Sequence, residues 1–171
     1  MNIKSVLLTA AMAAVSANSF ADASQPERHV QAFLNALNGA GGKPMEQMSV
    51  QDARQVLINA QKGARLPAAD VTEKTINVDG GSITLHIVKP HNSQGILPVF
   101  MFFHGGGWVL GDFATHERLV RDLVSESGAA AVFVNYTPSP EAHFPVAINQ
   151  AYAATRWVAE HGSEIGVDGS R

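Results

Sequence analysis

The apolar residues of this chain change their spacing along the sequence, and each spacing predicts a different kind of element. Near the N-terminus, "QPERHVQAFLNALNG" repeats apolar residues at helical spacing and stops at Gly39. A second stretch, "MSVQDARQVLINAQKG", follows the glycine-rich segment 39–44 with the same spacing, with Ser49 placed to cap it and Gly63 to stop it. Two short helices are therefore predicted ahead of the rest of the fold.

The spacing changes to two in the next part of the chain. Apolar and polar residues alternate from Lys74 to Ile87 on both sides of the turn sequence "DGG" (79–81), which predicts a β-hairpin. Two later runs, "LPVFMFFH" (97–104) and "AAAVFVNY" (129–136), are apolar at nearly every position. Such runs are typical of strands that are buried on both faces of a parallel sheet.

Helical spacing returns after each of these two apolar runs. One helix is predicted to begin with Thr115 as its cap and to end at Gly128. Another is predicted between Pro145 and Gly162. Its candidate buried residues include Ile148, Tyr152 and Val158. The order of hairpin, strand, helix, strand and helix predicts an α/β protein with a parallel sheet and crossover helices on both faces.

Composition places the chain among ordinary globular proteins. Its 171 residues are 46% apolar and 16% charged, which suffices for one domain with a sizeable core. The formal charge is −3 and the Lys and Arg residues are scattered, so nothing indicates a nucleic-acid partner. The absence of cysteine excludes disulfides and a thiol nucleophile.

The first 21 residues form a different pattern. Lys4 precedes the small and apolar run "SVLLTAAMAAVSA", and "SFA" ends at Ala21 with small residues at both positions that a signal peptidase reads. This order is typical of a secretory signal peptide and is too short for a membrane span. We therefore expect residues 1–21 to be removed and the protein to be secreted or periplasmic. The alternative is an N-terminal core helix.

The segment "HGGGW" (104–108) stands directly after the first apolar run, where a strand gives way to a helix. Ligands of parallel α/β sheets bind at the carboxyl ends of the strands. Glycines there leave N–H groups uncovered, which suits an oxygen that becomes negative during acyl transfer. A phosphate-binding loop is the rival interpretation, but neither G-x-G-x-x-G nor G-x-x-x-x-G-K-[ST] occurs. A plain turn remains open on this motif alone.

Three motifs follow one another along the chain: "HGGGWVLGDFATHERL", "NYTPSPEAHFPVAINQAYAATRWV" and "VDGSR". In sequence, order and spacing they resemble the hormone-sensitive-lipase-like branch of the α/β-hydrolase fold, from about Lys74 to the C-terminus. The resemblance implies an esterase or lipase that acts on small-molecule carboxylic esters without a cofactor. It also implies an α/β-hydrolase domain over residues 71–171, preceded by a helical cap segment over residues 22–70.

The resemblance assigns a role to each residue of the glycine loop. The backbone N–H groups of Gly106 and Gly107 would be the oxyanion donors, and Gly105 would make the turn. His104 would hold the loop through hydrogen bonds and would not be the catalytic base. Trp108 would line the pocket for the acyl or alcohol group, or would simply pack.

The second motif departs from the family pattern. "YTPSPE" replaces the usual Y-R-L-A-P-E, so Thr137 stands where an Arg is usual, and Asn149 occupies a position that is usually acidic. Ala114 likewise replaces a frequent Asp. The first of these changes, "YTPSPE", predicts a stiffer loop that lacks any charge pairing by that Arg.

The nucleophile of this fold lies in G-x-S-x-G between a strand and a helix, and the chain contains no such motif. None of the serines next to a glycine lies on such an elbow, and the other histidines show no metal-ligand pattern. The sequence therefore predicts the N-terminal part of a secreted ester hydrolase, inactive by itself, whose catalytic Ser, acid and His lie beyond residue 171. The alternative is a non-catalytic protein that binds a small ligand with the same fold.

Overall fold

The computed structural model describes residues 26–39, 41, 43–79 and 81–170. The predicted signal segment 1–21 and Gly80 of the predicted hairpin turn lie outside the described residues. The chain divides into two compact units between Pro44 and Met45. None of the described helices is long and apolar enough to cross a bilayer.

The described part of the first unit is built around one helix, α1 (Arg28–Gly39), in the position that the sequence predicts. The carboxylate of Glu27 precedes it and accepts the N–H of His29 at 2.8 Å, and the N–H of Gln31 donates to the Glu27 carbonyl at 2.8 Å. The bond to His29 satisfies an N–H group that the first turn of a helix leaves without a partner, and the Gln31 bond is the first one within the helix.

The second unit begins with a 3₁₀ turn (Met45–Gln47) and helix α2 (Val50–Ala60). Ser49 caps α2 as predicted, because its hydroxyl accepts the N–H of Asp52 at 3.1 Å. The helix ends at Ala60, ahead of the predicted stop at Gly63.

The predicted hairpin is formed by β1 (Ala69–Val78) and β2 (Gly81–Pro90), which pair antiparallel along their whole lengths. The two apolar runs form β3 (Leu97–Phe102) and β4 (Ala130–Asn135), which pair in parallel. A two-residue strand, β5 (Val167–Asp168), pairs in parallel with the other edge of β3. The sheet order is β1-β2-β4-β3-β5.

Two helices cross over between the parallel strands. Helix α3 (Phe113–Ser127) is capped by Asp112, and Thr115, which the sequence analysis predicts as the cap, is the third helical residue instead. The two side chains exchange bonds, since each accepts the backbone N–H of the other at 2.9 Å. Helix α4 (Val146–His161) continues into a 3₁₀ turn (Gly162–Ile165) that leads to β5.

The core lies on both faces of the sheet, and β4 contributes to both. Residues 130–134 are all completely buried, as the unbroken apolar run predicts. Val132 and Val134 pack in the cluster that contains Val158 of α4, whereas Phe133 packs with Val120 of α3 on the opposite face. Alternate residues of one strand therefore anchor the two helix layers.

Helix α4 buries a different stripe from the predicted one. Val158 is buried as expected, but Ile148 is 51% exposed and Tyr152 is 66% exposed. The buried stripe runs through Gln150, Ala154 and Val158, which are four residues apart. Ala154 and Val158 of this stripe pack in the core cluster, and the larger Ile148 and Tyr152 face outward.

Replacement of Phe133 by alanine tests how much this core contributes to the free energy of unfolding. Its side chain is completely buried and its ring contacts those of Phe102, Phe113 and His104. We expect Phe133→Ala to lower the free energy of unfolding by about 3–5 kcal/mol, because the cavity adds to the lost transfer energy. Urea denaturation measures this. The matched control is Phe144→Ala, whose side chain is 84% exposed and whose loss should change stability by about 0.5 kcal/mol or less. Equal losses in the two variants would contradict the described core.

Candidate functional site

The candidate site lies at one edge of the sheet, where two loops meet. Strands β3 and β4 run in parallel, so the loops that follow them, 103–112 and 136–145, leave from the same edge. A backbone hydrogen bond joins them, because the N–H of Ser139 donates to the Trp108 carbonyl at 2.7 Å. This is the edge at which α/β sheets bind ligands.

The first loop turns sharply through three consecutive residues with positive φ. Gly106 has φ 115°, Gly107 has φ 62° and Trp108 has φ 59°. The Gly106 carbonyl closes the turn by accepting the N–H groups of Val109 at 3.2 Å and Leu110 at 2.9 Å. Trp108 is the unusual member, because a bulky residue rarely adopts this conformation and does so chiefly at functional sites.

The turn leaves two backbone donors uncovered. Gly106 and Gly107 are both exposed. Within the described residues, no acceptor receives the N–H of either one. Two adjacent N–H groups that are fixed by a closed turn and lack a partner can bind an oxygen atom that carries negative charge.

The three glycines differ in how strictly they need to be glycine. A Cβ at Gly106 would collide with the carbonyl of Leu110, and φ there is positive. Gly107 has room for a Cβ but a positive φ. Gly105, which the sequence analysis expects to make the turn, has neither constraint, with no heavy atom within 4 Å of a Cβ. The sharp turn therefore lies at residues 106–108 instead.

A fourth glycine, Gly111, is also required, and the sequence analysis does not identify it. Its φ is 92°, and a Cβ there would lie 2.8 Å from Nδ1 of His104 and 3.1 Å from Cε1 of His116. The close approach of these two imidazoles leaves no space for a side chain at Gly111. The sequence does place Gly111 in the same glycine-rich loop, two residues after "GGGWV".

His104 is a buried structural residue of the loop. It is 5% exposed, and its ring stacks on Tyr136 at 4.3 Å between centroids and on Phe133 at 5.4 Å. Its Nδ1 lies 2.8 Å from the Gly105 carbonyl, and because a carbonyl only accepts, Nδ1 carries the proton. Burial lowers the pKa of His104, so the ring is neutral at pH 7.

Tyr136 completes the support of His104. Its hydroxyl donates to the His104 carbonyl at 2.8 Å, which ties the end of β3 to the residue that follows β4. Burial raises the pKa of Tyr136 above its ordinary value, so the hydroxyl keeps its proton and remains a donor.

Two adjoining cavities lie beside the uncovered donors. One has a volume of about 410 Å³ and extends along the second loop, and the other has a volume of about 380 Å³ and extends toward Phe103 and Tyr136. Gly107, Trp108 and Ile148 line both of them. Trp108 is 60% exposed, so its side chain lies at the surface of both cavities.

A neutral side-chain pair holds the second loop at the position where the family usually has an Arg. The N–H of Thr137 donates to Oε1 of Gln150 at 2.7 Å, and Nε2 of Gln150 donates to the Thr137 hydroxyl at 3.1 Å. Gln150 is only 5% exposed, so both of its polar atoms find partners inside the fold. Elsewhere in this loop, Glu141 forms an ion pair with Arg54 of α2.

The described residues supply donors but no activated nucleophile at this site. Ser139 and His143 line the larger cavity, but the Ser139 hydroxyl donates to the Ala142 carbonyl at 2.9 Å rather than to a base. No group of three or more His, Asp or Glu side chains in the described part of the chain could hold a metal ion.

Comparisons with known proteins agree with this geometry. Residues 100–171 match a family described as having the alpha/beta hydrolase fold. A thermostable esterase from Pseudomonas putida superposes with a TM-score of 0.81 at 62% identity, over 87% of this chain. A hyperthermophilic esterase from Pyrobaculum calidifontis superposes with a TM-score of 0.74 at 33% identity, over 83% of this chain. An esterase of Mycobacterium tuberculosis, LipI, is 38% identical over 70% of this chain.

The chain spans less than half the length of these relatives. It covers 47% of the Pseudomonas putida chain, 46% of the Pyrobaculum calidifontis chain and 38% of LipI. The family match over residues 100–171 includes both the glycine loop and the second loop.

The buried, neutral state of His104 has a consequence for stability. Because folding lowers its pKa, the unfolded chain binds a proton near pH 6.5 that the folded chain does not. The free energy of unfolding should therefore fall as pH decreases below about 6.5, by up to about 1.4 kcal/mol per pH unit. We expect this decrease to be smaller in His104→Asn, as measured by urea denaturation at pH values of about 7.5 and 5.5.

Two further variants make this measurement specific. Partial burial also lowers the pKa of His86, so part of the decrease should remain in His104→Asn. His143→Asn replaces an exposed histidine and should keep the full decrease. An identical pH dependence in His104→Asn and the unaltered chain would contradict the neutral, buried state of His104.

Proposed function

The chain belongs to the α/β-hydrolase fold family, and we propose that it supplies the oxyanion-binding side of the active site in a carboxylic-ester hydrolase. One observation carries the proposal: Gly106 and Gly107 present uncovered N–H groups at the carboxyl end of β3, and Gly107 lines two cavities with largely apolar neighbours. Its similarity to proteins known as esterases and carboxylesterases supports the same class of reaction.

The proposed chemistry follows from where charge develops during ester hydrolysis. When a nucleophile attacks the ester carbonyl, the carbonyl oxygen becomes negative in the tetrahedral intermediate. Donors that are already fixed at that position stabilise it without reorganisation. Gly106 and Gly107 would bind this oxygen, and the neutral His104 would keep their loop in shape. The reaction needs no cofactor.

The nucleophile would come from a strand that follows β5 and lies beside β3. β5 pairs with Leu97 and Pro98 on the edge of β3 opposite β4. A cavity of about 230 Å³, lined in part by Val99, Met101 and Gly169, lies farther along β3. We propose that a strand continuing from β5 fills this space and ends in the G-x-S-x-G elbow of the fold.

The cavity lining indicates the substrate class. The described residues that line the two cavities include no Asp, Glu, Lys or Arg, and Trp108, Phe144 and Ile148 present large apolar surfaces. An uncharged ester with an apolar acyl or alcohol group fits such a lining, because a charged group would lose hydration without gaining a partner.

The oxyanion assignment is tested by comparing two neighbouring glycines. In the catalytically complete protein, Gly106→Ala should lower kcat for p-nitrophenyl butyrate by about 10²–10³-fold, because the added Cβ displaces the turn that aims the donors. Gly105→Ala is the comparison for kcat, which should stay within about threefold because its Cβ meets no protein atom and leaves the turn in place. Gly105 lines the smaller cavity, so contact of that Cβ with the ester should change KM instead. Equal effects in the two variants would remove these N–H groups from the site.

The chain of 171 residues supplies a second control. It should not hydrolyse the same ester above background, because donors without a nucleophile provide no acyl-enzyme route. Turnover by this chain that disappears on Ser139→Ala would overturn the assignment. Saturable binding of the ester without turnover by the complete protein would favour a non-catalytic binding protein.

We also propose that the protein is exported. Lys4, the apolar run after it and the small residues of "SFA" support cleavage after Ala21. Intact-mass analysis of the protein from the periplasm or medium of a Gram-negative host should show Asp22 as the first residue. Replacing two leucines of the run, Leu7→Arg and Leu8→Arg, should leave the uncleaved chain in the cytoplasm. A cytoplasmic protein with residues 1–21 still attached in the unaltered chain would contradict export.

A further inference from the structure

One side chain of α2 connects both loops of the site. The guanidinium of Arg54 donates from Nε to the Val109 carbonyl at 2.8 Å and from Nη2 to the Ser139 carbonyl at 3.0 Å. It also forms two hydrogen bonds with the Glu141 carboxylate, at 2.6 Å from Nη1 and 2.8 Å from Nη2. Four donors of one planar group therefore bind three residues of two loops.

These contacts lie directly behind the oxyanion turn. Val109 donates its N–H to the Gly106 carbonyl and gives its own carbonyl to Arg54, so it links Arg54 to Gly106. Ser139 has the same double role, because its N–H binds the Trp108 carbonyl while its carbonyl binds Arg54. The positions of both loops thus depend on one guanidinium.

Arg54 and Glu141 each stabilise the charged form of the other. The hydrogen bonds from Arg54 lower the pKa of Glu141 to about 2, and the same bonds raise the pKa of Arg54. The Arg54 side chain is 25% exposed and that of Glu141 is 50% exposed, so the pair lies at the rim of the site. A bidentate pair of this kind fixes direction as well as distance.

We propose that Arg54 is a positioning residue that holds the oxyanion turn and the second loop in their catalytic arrangement, with Glu141 orienting its guanidinium. The catalytic consequence rests on the proposed ester hydrolysis, whereas the positioning itself does not. A lysine at residue 54 would keep the positive charge, but it could not serve both carbonyls and the carboxylate at once, because it lacks the fixed fork of donors.

The positioning is tested by amide hydrogen exchange in the 171-residue chain. In Arg54→Met and Arg54→Lys, the amides of Val109, Leu110 and Ser139 should exchange at least about tenfold faster, while those of β4 should keep their rates. Glu141→Gln should have a smaller effect, because both carbonyl contacts of Arg54 remain. Arg118→Met removes an exposed arginine with an ion pair of 3.6 Å and should change none of these rates.

Three results of the exchange measurement would overturn the proposal. Unchanged loop amides in Arg54→Met would show that Arg54 does not hold the turn. Full protection in Arg54→Lys would show that charge alone suffices. An equal acceleration of the loop and β4 amides in both variants would show that Arg54 acts on the stability of the whole unit.

The catalytic consequence is measured in the catalytically complete protein with p-nitrophenyl butyrate. Arg54→Met and Arg54→Lys should lower kcat by about tenfold or more and leave KM within about threefold, because misplaced donors act on the transition state rather than on ester binding. An unchanged kcat together with faster loop exchange would overturn the catalytic role. An inactive unaltered protein would contradict the proposed function alone, since the exchange result stands independently.

Discussion

The parallel pairing of β3 and β4 is the interaction on which the rest of the site depends. Four register pairs, from Val99–Ala130 to Phe102–Phe133, bring the ends of the two strands to one edge. That alignment stacks His104 on Tyr136 and lets the Tyr136 hydroxyl bind the His104 carbonyl. The glycine loop and the second loop meet because the two strands end together, and the buried β4 holds that edge in place.

The turn at residues 106–108 carries a constraint that the sheet alone does not satisfy. Its two uncovered N–H groups are exposed to water, but three consecutive residues with positive φ persist only if surrounding contacts maintain the turn. The Gly106 carbonyl closes it locally, Ser139 braces Trp108 from the second loop, and Arg54 holds the carbonyl of Val109. The pocket therefore depends on side chains of α2 and on backbone contacts, as well as on the glycines that form the turn.

Much of the fold could be predicted from the sequence, because it depends on local patterns. The unbroken apolar run of β4 reflects burial on both faces of the sheet, whereas β3, which has a similar run, is only half-buried in the described structure. The alternation in β1 and β2 reflects burial on one face. The buried face of α4 was predicted incorrectly, because Ile148 and Tyr152 are more apolar than the Gln150 that replaces them. Gln150 is buried through its bonds to Thr137, and a helical pattern of hydrophobicity carries no information about such a partner.

The candidate site likewise depends partly on local sequence, which could be read, and partly on residues that are distant along the chain. The "HGGG" run marks the place of the donors, but their geometry places the strict requirement at Gly106 rather than at Gly105. Arg54 gives no signal in the sequence, because an arginine on a short amphipathic helix most often points into solvent. Its partners, Val109, Ser139 and Glu141, lie more than fifty residues away along the chain. Only the folded arrangement brings them together.

Charged side chains lie at the hydrated rim of the site, and the polar side chains inside it are uncharged. The polar groups inside are neutral: His104 has a lowered pKa, and Thr137 and Gln150 satisfy each other. The Arg54–Glu141 pair lies at the partly exposed rim, where hydration limits the cost of desolvation. In the proposed reaction, the backbone dipoles of Gly106 and Gly107 would supply the positive ends that bind the new negative charge. Because the closed turn would fix those dipoles before any charge appears, their stabilisation would require no reorganisation.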